Sequence, residues 1–130
     1  GVASSSPLEL IEYALALADL RSYFTAVVSS DEVEHGKPAP DVYLLACQRL
    51  HAAPDSAAAV EDSASGIKAA AVAGLAVVAI PNLVFAPSEE ALAMADVVLG
   101  SVAELTPAVV DQLAERREPG SRGGAGKSRE

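Results

Sequence analysis

The sequence has no tryptophan, one cysteine, one methionine and only five aromatic residues, three Tyr and two Phe, in 130 positions. A lone Cys47 rules out a disulfide framework and a Cys-rich zinc site, so it reads as a filler of core space. Basic residues are scarce as well. Residues 1–115 carry 16 acids against Arg21, Lys37, Arg49 and Lys68, a balance of -12, while the last fifteen residues are net +3 and the whole chain is -9. An acidic body repels nucleic-acid phosphates and anionic membrane faces, and the five basic residues of the tail make only a weak counterion-release site. The expected partners therefore exclude nucleic acid and membrane. No apolar run approaches the ~20 residues that span a bilayer, and no charged-then-apolar leader opens the sequence. The expectation is a cytoplasmic protein in a reducing compartment. What is plentiful is apolar residues, at 51%, which is too many for a disordered chain and suits one α/β domain.

Hydrophobic patterning and punctuation divide the chain. Gly1-Val2-Ala3 running into Ser4-Ser5-Ser6 reads as the end of a buried strand entering a loop, so chain before Gly1 is expected. Ser6-Pro7-Leu8-Glu9 has capping-box spacing with Pro at the first helical position, and Leu8, Ile11 and Leu15 follow at helical intervals. A strand is predicted over 26–29, then a loop over 30–40 broken by Gly36, Pro38 and Pro40. A helix over 41–50 places Tyr43, Ala46, Cys47 and Leu50 on one stripe, which reads as core. A strand over 57–60 leads through Glu61-Asp62-Ser63 into an Ala-rich helix over 65–73, closed by Gly74. Further strands are predicted over 76–80 and 97–99, with helices over 88–94 and from Thr106-Pro107 to near Glu115. The alternation implies a three-layer α/β fold, a parallel sheet covered on both faces. Residues 1–115 form the core domain, and 116–130, with Pro119-Gly120 and Gly123-Gly124, a flexible Arg/Gly/Ser-rich tail.

In such sheets ligands bind beyond the C-terminal ends of the strands. Three polar clusters fall there: Ser4-Ser5-Ser6, Lys37, and Glu61-Asp62-Ser63. Hydroxyls with the free N–H groups of a helix N-terminus cradle phosphate, an ammonium balances its charge, and adjacent carboxylates suit Mg2+. Each cluster also has an ordinary reading. Ser6 with Glu9 reads as a helix cap, Lys37 as a solvated lysine, and Glu61-Asp62 as capping the helix that follows and favouring its dipole. The order and placement of all three favour half of a metal-assisted phosphoryl-transfer site. His35 and His51 have no His or Cys at ligand spacing and read as structural or solvated.

Gly36-Lys37-Pro38-Ala39-Pro40-Asp41 and Val60-Glu61-Asp62-Ser63-Ala64-Ser65-Gly66-Ile67-Lys68-Ala69-Ala70 resemble the third and fourth motifs of the haloacid dehalogenase (HAD) superfamily, in its β-phosphoglucomutase and phosphatase branch. The similarity runs from Val2 to about Leu105. The resemblance implies a Rossmann-like core and Mg2+-dependent phosphoryl transfer on a small phosphorylated metabolite. It assigns Ser4 to the hydroxyl that hydrogen-bonds the phosphoryl group, with Ser5 beside it in the phosphate site. Lys37 takes the charge-neutralising role, Asp62 that of Mg2+ ligand, and Glu61 that of a second acid in or next to the first shell.

The family's first motif, Asp-x-Asp at the end of the central strand, is absent, as is the cap domain inserted after it. Asp31-Glu32-Val33-Glu34 follows a different strand and cannot replace it. The resemblance thus implies an N-terminally truncated core with a gap between the strand ending at Ser4 and that ending at Val60. Two unpaired edges and no turnover by the chain alone are expected. A dehalogenase, a non-catalytic module that binds phosphate or a protein partner, and a receiver-type domain are the alternatives. The last conflicts with the order of elements, since receivers place their acids before the hydroxyl and the lysine.

Overall fold

A computed structural model of the chain describes residues 1–117. Among the described residues five strands alternate with helices: β1 (Val2–Ser4), α1 (Leu8–Leu17), β2 (Val27–Ser29), α2 (Asp41–Arg49), β3 (Ala58–Glu61), α3 (Ala64–Ala73), β4 (Ala76–Ala79), α4 (Glu89–Leu92), β5 (Val97–Val98) and α5 (Pro107–Arg117). Every pairing is parallel, as the βαβ alternation demands. The strands form two groups, β1–β2 and β3–β4–β5, and β1 and β3 share no ladder. Val2 is level with Val27 and Ser4 with Ser29 in the first group, and Glu61 is level with Ala79 in the second. The break falls where the sequence placed it, but its edges are short, three residues on β1 and four on β3.

The main core lies under α2 and α3. Val28, Val42 and Ile67 are fully buried there with Ala59, Ala69, Ala70 and Val77, and Cys47 fills space among them. Alanines on α3 allow the helix to sit close to β3 and β4. Its C-terminus is made by Gly74, whose φ of 93° lies in the left-handed region that Gly adopts at no steric cost. A smaller cluster on the opposite face sets Leu113 of α5 against Ala76 and Val78 of β4. That cover stops short of β3, where Ala59 and Glu61 are buried but Ala58 and Val60 point outward and Val60 is 48% exposed. The expected sheet covered on both faces is therefore covered on one face only at β3. Leu10, Tyr13 and Leu17, on one side of α1, are exposed too.

Two local expectations are corrected. The Ser6–Glu9 capping box does not form, because Pro7 occupies the cap position of α1 and no side chain caps that end. Ser6 instead contributes its backbone, its N–H donating to Ser4 Oγ at 3.1 Å and its carbonyl accepting from the buried Ser29 hydroxyl at 2.7 Å. α5 runs past Glu115 to Arg117, whose guanidinium donates to the carbonyls of Gly74 and Leu75 at 2.7 and 2.8 Å and so anchors the last turn. The rest of the expected tail, 118–130, lies outside the described residues. No helix among the described residues is long and apolar enough to cross a membrane.

Candidate active site

The C-terminal ends of β1, β2 and β3 bring the polar clusters together. After β1 the chain turns sharply: Ser4 Oγ accepts from Ser6 N–H, and the Ser5 carbonyl accepts from Ser30 Oγ at 3.0 Å. After β2, Ser29 and Glu32 cap a single turn reciprocally. The Ser29 hydroxyl accepts from Asp31 N–H at 3.1 Å and Glu32 Oε2 accepts from Ser29 N–H at 2.9 Å. Arg49 of α2 donates to the same carboxylate at 2.8 and 3.3 Å, and these contacts hold the Glu32 carboxyl below its ordinary pKa. The loop over 30–40 is thereby pinned at its start, and His35 N–H, donating to Asp41 Oδ2 at 3.2 Å, ties its second half to α2. His35 is exposed and His51, at the end of α2, is exposed as well.

This loop carries Lys37 inward. Its ammonium donates to the Ala3 carbonyl of β1 at 3.1 Å and to Glu61 Oε1 of β3 at 2.5 Å. Glu61 is buried and Lys37 nearly so, with side chains 6% and 10% exposed. The reading of Lys37 as a solvated lysine is thus excluded, and Lys37 links the end of β1 to that of β3 across the break in the sheet. Glu61 also accepts from the Tyr43 hydroxyl. Burial and this carboxylate push the Tyr43 phenol far above its usual pKa, so it remains a donor. The other side of the carboxylate lies against Gly66 of α3, where any Cβ would collide with it.

Asp62, the residue after β3, takes other partners. It is exposed beyond β3, its Oδ2 accepting from Asn82 Nδ2 at 3.4 Å and its carbonyl from Asn82 N–H at 3.1 Å. The cap of α3 is Ser63, whose hydroxyl accepts from Gly66 N–H at 3.2 Å, so neither Glu61 nor Asp62 caps that helix. For a cation, Asp62 offers a hard oxygen donor at the surface. Glu61 Oε1 is already occupied by two donors, and no group of three or more His, Cys, Asp or Glu is gathered among the described residues. The donor set fits Mg2+ held by one carboxylate and completed by water and phosphate oxygens, a common arrangement for that ion.

Three residues around these acids are not marked by local sequence pattern as part of a site. Tyr43 passed as part of an apolar stripe, and Gly66 as a member of a motif without a task. Asn82 could have been found by the same strand-end argument, since it lies just beyond β4.

Comparison with known proteins points to one family. The profile of a hydrolase family, haloacid dehalogenase-like hydrolase, matches residues 1–74. Hexitol phosphatase B of Escherichia coli (strain K12) is 37% identical over 106 residues, 82% of this chain and 47% of that protein. Fructose-1-phosphate phosphatase YqaB of the same strain is 45% identical over 74 residues, 57% of this chain and 39% of that protein. The crystal structure of CbbY from Rhodobacter sphaeroides in complex with phosphate superposes with a TM-score of 0.76 at 35% identity, covering 85% of this chain and 50% of that one. The chain spans about half the length, or less, of these relatives.

Proposed function

Since the chain belongs to the haloacid dehalogenase-like hydrolase family, we propose that it serves a phosphatase acting on a small phosphorylated metabolite, with Mg2+ as cofactor. The relatives are named as phosphatases of hexitol and fructose phosphates, which supports a phosphorylated carbohydrate as substrate. One observation carries the reading: a largely covered lysine stands between the ends of two strands, paired to a buried glutamate and touching the β1 backbone. In this reading Lys37 balances the charge of the transferring phosphoryl group, and Ser4 and Ser5 hydrogen-bond its oxygens. Glu61 holds Lys37 in place. Asp62 holds Mg2+, which when bound supplies Lewis-acid stabilisation of the phosphoryl oxygens. The nucleophile has no source in this sequence, which contains no Asp-x-Asp, so it enters from outside these 130 residues at the break between β1 and β3.

The test is phosphate release from fructose 1-phosphate and hexitol phosphates, with and without Mg2+, by the whole natural protein and by the pure chain. The whole protein is expected to turn over and the chain is not. Lys37→Ala in the whole protein is expected to lower kcat roughly 10²–10³-fold, as for loss of one preorganised charge-stabilising donor. A full rate in Lys37→Ala, or no Mg2+-dependent release by the whole protein, overturns the reading. The missing Asp-x-Asp also favours a second reading, a non-catalytic module that binds phosphate or a protein partner. That reading gains if the whole protein binds inorganic phosphate but releases none.

A further inference from the structure

The Lys37–Glu61 pair has a third member to which the proposed chemistry gives no task. Tyr43 is buried on α2, and its aromatic body alone would serve the core. Yet its polar atom and its ring both meet the pair. The hydroxyl donates to Glu61 Oε1, the oxygen that also accepts from Lys37, while Lys37 Nζ lies 5.0 Å from the centroid of the same ring. The three side chains come from three different segments, the loop over 30–40, α2 and β3.

A lysine is a point charge on a flexible stem, and one ion-pair partner leaves it many arrangements. The face of an aromatic ring attracts the ammonium electrostatically and removes some of that freedom. A carboxylate oxygen that accepts from two donors in a buried setting is likewise confined, because either donor left unmatched there is costly. We propose that Tyr43 is a positioning residue: its ring and hydroxyl together hold the Lys37 ammonium and the Glu61 carboxylate in one arrangement, with Lys37 kept at the C-terminal end of β1. Only the consequence for catalysis rests on the phosphatase reading.

Tyr43→Phe removes the hydroxyl and keeps the ring. Modification of Lys37 by an amine-reactive reagent, read by mass spectrometry in the full chain, reports how firmly the ammonium is held, and the exposed Lys68 serves as internal reference. Tyr43→Phe is expected to raise the Lys37/Lys68 modification ratio about tenfold, the effect of losing one charge-assisted hydrogen bond. In a Glu61→Ala background, which removes the acceptor altogether, the same substitution is expected to add nothing, since Tyr43 acts through Glu61. An unchanged ratio in Tyr43→Phe, or an equal effect in both backgrounds, overturns the proposal and leaves Tyr43 a core filler. A measurement without any variant protects the test against misfolding: the unsubstituted whole protein should show a slowly exchanging Tyr43 hydroxyl proton by NMR, and its absence also overturns the proposal. Labelling requires no turnover. A full rate in Lys37→Ala with the labelling result intact defeats the phosphatase reading alone, and the converse defeats the role of Tyr43 alone.

Discussion

Gly66→Ala tests the packing of the site most directly, because the structure predicts a sign that helix propensity alone would reverse. A Cβ at Gly66 would collide with both oxygens and Cδ of Glu61. The carboxylate has no free direction in which to retreat, being held by Lys37 and Tyr43 and almost wholly buried. Relief requires pushing it out of the pair, which strands Lys37 without its counter-charge at a cost of about 3–5 kcal/mol. Replacing Gly by Ala in a helix returns up to ~1 kcal/mol, leaving a net loss of about 2–4 kcal/mol. For a domain of this size that corresponds to a fall in Tm of roughly 10 °C. Urea and thermal denaturation of the whole natural protein, followed by circular dichroism, measure it. In a Glu61→Ala background the obstacle is gone, and the same Gly66→Ala change is expected to stabilise by up to ~1 kcal/mol. A Gly66→Ala protein as stable as the parent, or the same sign in both backgrounds, refutes the packing argument.

Three further outcomes follow from the same geometry. Asp62→Asn, at an exposed position outside the ion pair, is expected to weaken Mg2+ binding about tenfold in calorimetric titration while changing stability by less than ~0.5 kcal/mol; unaltered Mg2+ affinity would remove Asp62 from the cation site. Glu32, held below its ordinary pKa first by Arg49 and then by Ser29 N–H, contributes stability above the unfolded-state carboxylate pKa of 4.5, and that contribution is lost as pH falls through the lower folded value. Glu32→Gln should therefore flatten the acid side of the stability–pH curve, and an identical curve would contradict the assignment. The chain by itself, with the β1 and β3 edges unpaired and Val60, Leu10, Tyr13 and Leu17 exposed, is expected to self-associate in light scattering after size exclusion. A monomer with a cooperative melt would count against open edges.

Much of this architecture was legible from local pattern. Strand and helix positions followed from apolar periodicity, Pro7 and Gly74, since these signals act within one or two turns of chain. The family followed from Gly36 to Asp41 and Val60 to Ala70, and with it the break between β1 and β3. The Ser6–Glu9 box failed because capping spacing states an opportunity, and Pro7 with its extended ψ of 144° took the cap position while Ser6 used its backbone elsewhere.

The sequence by itself determined the alternation of elements, the parallel sheet and the presence of Lys37, Glu61 and Asp62 at strand ends, because spacing along the chain fixes which end of an element a residue occupies. Only the tertiary structure decided how the charges divide. It buried Glu61 with Lys37, turned Asp62 out to Asn82, and brought Tyr43 and Gly66 against the same carboxylate. Those partners lie between 5 and 24 residues apart in the chain, and no local pattern encodes which of them meet. Their meeting is set by the packing of α2 and α3 on the strands, where burial makes an unpaired charge too costly to leave alone.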